Sequence, residues 1–264
     1  MMSVLNQHKF DMPPELLAIR NVALKLLAPK GSLRVGINFS NIPLARRPSD
    51  GGEPSGVAID MAHALAATLD IPYEIVGYDA AGKVTAASEE WDVSFLAVDP
   101  TRAEQFAFTP AFVQIGACYM VSADSALLTS DMVDRPYHRI SAAKDSGYEL
   151  YLSRTLRHAQ LERLPTAQEA LASFEIQRLD AAACIRGVLQ KHVSTRPHLR
   201  LMKEDFLKID QALCVPRARL TDLNDGFQWL CAWVEERKYS GFVKMALERS
   251  GQVDVTIAPL NAIN

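Results

Sequence analysis

Arg102 is the residue of this chain best suited, by type and position, to hold an anion. It follows a short apolar run in which Val93, Phe95 and Ala97 alternate with Ser94, Leu96 and Val98. The run breaks at Asp99-Pro100, where proline removes a backbone donor and ends regular pairing. In open α/β sheets ligands bind at the carboxyl ends of strands, and a planar guanidinium suits bidentate capture of a carboxylate or phosphate. The same residue also reads as a surface arginine paired with Glu104. A second anion-binding place is predicted where a strand, Ile140 to Ala142, passes through Lys144 to Gly147 into a helix starting near Tyr148. Backbone N–H groups of Ser146, Gly147 and Tyr148 would point out of that helix N-terminus, and Ser146 equally suits an N-cap, a compatible role. Lys83 falls in the first turn of another helix, where the helix dipole disfavours a cation, so it reads either as facing a bound anion or as a solvated lysine.

Other chemistries find little support. Cys118, Cys184, Cys214 and Cys231 are widely spaced in apolar settings with no C-x-x-C, which predicts buried free thiols. No histidine has a second ligand residue at metal spacing, so neither a metal nor a cofactor is expected. A net charge of −3 with scattered Lys and Arg gives no reason to expect nucleic acid or an anionic membrane as partner. No apolar run reaches membrane-spanning length, and MMSVLNQHKF lacks the ordered regions of a signal peptide. The expected location is therefore cytoplasmic, or periplasmic if a leader has been removed.

The elements that must position these groups alternate between strand and helix. Residues 13–28 carry Leu16, Leu17, Val22, Leu26 and Leu27 at helical spacing, predicting an amphipathic N-terminal helix packed on the first lobe, with a dimer contact as the alternative. Strands are predicted at Leu33 to Phe39, Ile71 to Val76, Leu161 to Leu164, Leu179 to Ile185 and Leu199 to Met202. Two apolar runs, Val113 to Val121 and Asp210 to Val215, read as strands that cross between lobes, placing Gln114 and Gln211 toward the cleft. Helices are predicted from near Val57, at Ala167 to Gln177 behind a Thr166/Glu169 capping box, at Asp222 to Lys238 and at Phe242 to Arg249. The tail from Gly251 carries no signal.

In order, the strand, then D-P-T-R, then A-E-Q-F-A-F-T-P-A-F, and earlier Gly56, Asp60, Ala64 and Ala66 at the entry of the first helix, resemble extracellular solute-binding protein family 3. This is the amino-acid-binding branch of the type 2 periplasmic binding protein fold, and the resemblance runs from Leu33 to about Ser250. It implies an α/β fold with two lobes, two mixed sheets flanked by helices and a two-segment hinge. Lobe 1 would comprise 31–117 and 212–264, lobe 2 118–211, with 1–30 as an N-terminal extension. It implies that Arg102 holds a ligand carboxylate, opposite Ser146, Gly147 and Tyr148, and that Asn38, Ser40 and Asn41 in the loop after the first strand are ligand contacts, a capping or turn role being the alternative for each. An aromatic from the second strand usually stacks on the ligand; Tyr78 is nearest, although spacing from Asp92 places Asp79 there.

Two departures bear on the ligand. The acidic residue that pairs with an amino acid's ammonium is here Ile185, followed by Arg186, and the hydroxyl five residues before the arginine is here Ala97. Loss of the acid leaves a desolvated ammonium without a counter-charge, and Arg186 favours a second anionic group, the alternative being that it points to solvent. The expected ligand is therefore a small anionic or amino-acid-like metabolite, with a carboxylate, keto acid, dicarboxylate or phosphorylated metabolite favoured over a standard zwitterionic amino acid. The resemblance implies the substrate-binding component of an ABC-type transporter, with a membrane permease as partner. Its alternatives are an enzyme on the same scaffold, a cyclohexadienyl-dehydratase-like carbon-oxygen lyase using Asp99 or Glu149, and a cytoplasmic ligand sensor.

Overall fold

A computed structural model describes residues 14–49, 51–252 and 254–261, with side chains from Arg20 onward. Residues 1–13 of the expected N-terminal extension and the side chains of Leu16 and Leu17 lie outside the described residues. Lobe 1 contains β1 (Leu33–Asn38), α2 (Val57–Leu69), β2 (Tyr73–Tyr78), α3 (Ala81–Ala86), β3 (Val93–Ala97) and α4 (Pro100–Ala103), preceded by α1 (Pro14–Leu27). The chain then crosses on β4 (Phe106–Ser122) into β5 (Arg139–Ala143), α5 (Gly147–Thr155), β6 (Gln160–Leu164), α6 (Ala167–Gln177), β7 (Ala181–Ile185), α7 (Arg186–Val193) and β8 (Leu199–Leu201). It returns on β9 (Leu207–Pro216) to α8 (Asn224–Tyr239), α9 (Phe242–Arg249) and β10 (Val255–Ile257).

The sheets of the two lobes are hydrogen-bonded into one ten-stranded network, ordered β2-β1-β3-β9-β4-β7-β5-β6, with β8 and β10 also on β4. Its two long antiparallel members, β4 and β9, join the lobes. One core gathers Val35, Ile37, Leu65, Phe95, Phe112, Leu213, Leu230 and Trp233. The other gathers Met120, Ile140, Leu152, Leu171, Phe174, Ala182 and Leu189. β1 and β3 are apolar and buried on both faces because helices cover the parallel part of the sheet.

Local chemistry sets the boundaries. α2 ends where Asp70 turns left-handed and its N–H meets the carbonyls of Ala66 and Ala67; Pro72 cannot donate. β2 therefore starts at Tyr73, opposite Leu33, two residues later than the sequence pattern predicted. β4 is longer than predicted, beginning at Phe106, because its ladder with β9 tolerates irregularities between Phe108 and Ala111 and between Ala111 and Val113, around Pro110. The fully buried Asp92 accepts from the Arg34 backbone and side chain and from Arg219 Nη1 at 2.6 Å, tying β1 to the entry of β3 and the segment after β9.

α1 packs on α8, with Ala23, Leu26 and Leu27 in the first core. The helices approach so closely at Gly226 that a Cβ there would lie 2.8 Å from the Val22 carbonyl oxygen. Gly226→Ala is expected to destabilise by about 1 kcal/mol: overpacking costs roughly 1–3, less the ~1 that alanine returns in helix propensity. A lower urea midpoint at unchanged slope checks it. Within the segment that carried no signal, β10 pairs with β4 at Val113 to Ile115, and Lys238, buried beside Glu235, donates to the Pro259 carbonyl at 2.9 Å.

Candidate functional site

A cavity of ≈ 80 Å³ lies between the lobes, lined on the first by Asn38, Ser40, Asn41, Asp79, Phe95, Ala97 and Arg102, and on the second by Lys144, Ser146, Gly147, Tyr148, Thr166, Ile185 and Val188. Gln211 on the returning strand completes it. A single water needs roughly 10–15 Å³ in this measure, so the space suits a small solute.

Arg102 is buried in the last turn of α4, a helix begun by the Asp99 side chain, which accepts from Thr101 N–H at 2.9 Å. Its Nη1 donates to the Ala97 carbonyl at 3.0 Å and its Nη2 to the Asp145 carbonyl, in the other lobe, at 2.6 Å. Burial lowers the guanidinium pKa, opposed chiefly by the charge of Asp99. No ion pair within 4.0 Å engages Arg102 among the described residues, and two of its five N–H donors are used. The alternative pairing with Glu104 is not formed.

Opposite it, Ser146 caps α5, its hydroxyl accepting from Glu149 N–H at 3.2 Å. The N–H groups of Gly147 and Tyr148, in the first turn, have no helical partner to bond. Gly147 is pressed against lobe 1: a Cβ on it would lie 2.8 Å from Ala97 Cβ, and 3.2 Å from Cγ2 of Ile209 in its own lobe. The absence of a hydroxyl at Ala97 and of a side chain at Gly147 lets the lobes meet here. Asn38 Oδ1 accepts from Ser40 N–H and Oγ, the turn role open to it, while Asn41 Nδ2 reaches Gln211 Oε1 at 3.4 Å. Asn41 Oδ1 is buried without a protein partner.

Four expected contacts lie outside the cavity. Arg186 donates to Asp205 at 2.6 Å and to the carbonyls of Met202 and Lys203, a cluster seated over Gly116, so it builds no second anionic subsite. Gln114 instead bonds Asp210 at 2.8 Å, joining the crossing strands. Tyr78 donates to Glu90, and Lys83 is an exposed partner of Asp79 at 2.8 Å. Lys83 holds the Asp79 carboxyl below its ordinary pKa. Lys144 and Val188 were missed as cavity residues, and Thr166 serves there as well as capping α6.

The acids near Arg102 are committed elsewhere. Asp99 pairs across the cleft with Arg154 of α5 at 2.7 Å. Glu149 accepts from Asp145 N–H and pairs with Arg163 at 2.8 Å. Arg154→Ala removes one interlobe bond of a half-exposed arginine; a loss of about 1 kcal/mol, roughly fivefold in ligand affinity by calorimetry, is expected. Burial raises the thiols, Cys184 to about 11 and Cys118 to about 12, so they stay protonated at neutral pH. Among the described residues no group of three metal-ligating side chains occurs, and no helix is long and apolar enough to cross a membrane.

Among solved structures, ArgBP from T. maritima superposes with a TM-score of 0.69 at 18% identity, over 87% of this chain and 99% of that one. The cysteine-binding protein from Campylobacter jejuni gives 0.70 at 18%, over 93% and 99%. The ancestral amino acid-binding protein AncCDT-1, described as a precursor of cyclohexadienyl dehydratase, gives 0.68 at 20%, over 86% and 97%. These likenesses show the two-lobed fold. No individual curated protein matches the sequence. The family model for bacterial extracellular solute-binding proteins, family 3, matches residues 33–237, from the first strand of lobe 1 into the last turn of α8, and the chain belongs to that family.

Proposed function

We propose that this protein is the solute-binding component of an ABC-type transporter, working outside the cytoplasmic membrane with a membrane permease as partner. Its lobes, 31–117 with 212–264 and 118–211, close on a small carboxylate-bearing metabolite. The observation that carries this reading is Arg102: a buried guanidinium with spare donors, lining an interlobe cavity and lacking any carboxylate of its own. Such a charge is poorly compensated until an anion arrives, and the first turn of α5 offers further N–H groups from the opposite lobe. Neighbours of similar fold bind amino acids, including arginine and lysine, which supports a ligand among the small carboxylates. For an enzyme on this scaffold the candidate acids Asp99 and Glu149 do not line the cavity and are consumed by Arg154 and Arg163, and Asp79, which does line it, is exposed and paired with Lys83.

Isothermal titration calorimetry against small acids, paired with small-angle scattering, tests the proposal. Heat of binding with a decrease in radius of gyration is expected. Conversion of an acid to product, or no heat and no compaction across the panel, would overturn it.

A further inference from the structure

We infer that the cleft selects carboxylates whose neighbouring carbon carries no ammonium, apolar 2-oxo or 2-hydroxy acids rather than amino acids, and that Ile185 sets this choice. The inference rests on the carboxylate-capture reading above. An amino acid would bring two charges out of water. Arg102 meets one; the ammonium needs a carboxylate within a few ångströms, because an ion desolvated without a counter-charge is strongly disfavoured.

The surroundings supply none. Asp99 and Glu149 do not line the cavity and are already paired with Arg154 and Arg163. Asp145 accepts from Arg102 through its backbone carbonyl, and its side chain lies against Gly82. Asp79, the carboxylate that lines the cavity among the described residues, is exposed at the rim and paired with Lys83. Lys144, also exposed, adds positive charge to the same mouth. The wall where β7 ends is apolar, made by Ile185 and Val188 and continued by Phe95, Leu96 and Ile209. The site thus offers one fixed cation, an uncharged interior and no anion facing inward. An acid with an oxo or hydroxyl group beside its carboxylate and a hydrocarbon body satisfies all three.

The experiment is calorimetry on matched series that differ only at that carbon: L-leucine, 2-hydroxy-4-methylpentanoate and 4-methyl-2-oxopentanoate, with the corresponding trios of alanine, valine and phenylalanine. In the series that binds, the oxo or hydroxy acid is expected to bind the natural protein about 100-fold tighter than the amino acid. In Ile185→Asp the order should reverse, with the amino acid gaining roughly 30-fold or more over its affinity for the natural protein. Ile185 occupies the N-cap of α7 without a side-chain cap bond, a position that favours aspartate, so this variant should fold. Ile185→Asn, a neutral cap, should bring no such gain. If the natural protein binds the amino acid as tightly as its partners, the selectivity is overturned while carboxylate capture stands. If selectivity holds but Ile185→Asp gains nothing, the assignment to Ile185 is overturned. No heat from any series overturns the capture reading itself.

Discussion

Replacing Arg102 by methionine is expected to abolish ligand binding while leaving the ligand-free protein close to its original stability. Truncating one partner of a buried, hydrogen-bonded charge pair typically costs about 2–5 kcal/mol of affinity, roughly 30-fold to several thousandfold. The stability side follows from what Arg102 touches without ligand. It donates to two backbone carbonyls, at Ala97 and Asp145, and has no carboxylate within 4.0 Å. Those bonds are offset by the penalty of burying the guanidinium, which an uncharged methionine side chain would not incur, so the net change is expected to stay within about 1 kcal/mol. Thermal unfolding with and without the acid reads both: the midpoint without ligand holds and the ligand-induced rise disappears. A loss of several kcal/mol in the ligand-free protein would instead make Arg102 a structural cross-brace between the lobes.

The second large effect is expected from Gly147→Ala, through closure rather than contact. Ala97 Cβ and Ile209 Cγ2 stand 2.8 and 3.2 Å from where the new methyl group would go, and the first is fixed to a buried central strand. Ile209 lies in the same lobe as Gly147, but the closer conflict, with Ala97, exists only when the lobes meet, so the closed form is penalised relative to the open one by about 1–3 kcal/mol. Affinity for a ligand that requires closure then falls roughly 5- to 150-fold with no fall in unfolding midpoint. Ala97→Gly in the same chain removes the conflicting carbon and should recover most of the loss. Lack of recovery would place the effect in the helix start itself, not in the meeting of the lobes.

Arg102 was legible because a strand that ends in Asp-Pro and is followed within a few residues by arginine fixes both the place and the charge from one short stretch. Ser146 and Thr166 were legible as caps for the same reason: cap chemistry is local. What could not be read depended on distant partners. Gln114 was assigned to the cleft because its strand crosses between the lobes, but its side chain is taken by Asp210 of the neighbouring crossing strand, remote in sequence. Arg186 follows the strand end as an anion-binding arginine would, yet its direction is set by Asp205 and by the space over Gly116, both remote in sequence. Tyr78 is claimed by Glu90, twelve residues on. β10 is three residues long, too short to show a period, and exists because β4 offers it an edge. The interlobe bond between Asp99 and Arg154 joins two residues whose separate contexts give no hint of each other.

The central claim is that a carboxylate sits between Arg102 and the start of α5. A crystal structure grown with the tightest-binding acid of the matched series tests it most directly. The expected result is both carboxylate oxygens within about 3 Å of guanidinium nitrogens of Arg102, with at least one also accepting from the N–H of Gly147 or Tyr148. The acid held at the rim by Lys144, with Arg102 still bonded only to the carbonyls of Ala97 and Asp145, would contradict it.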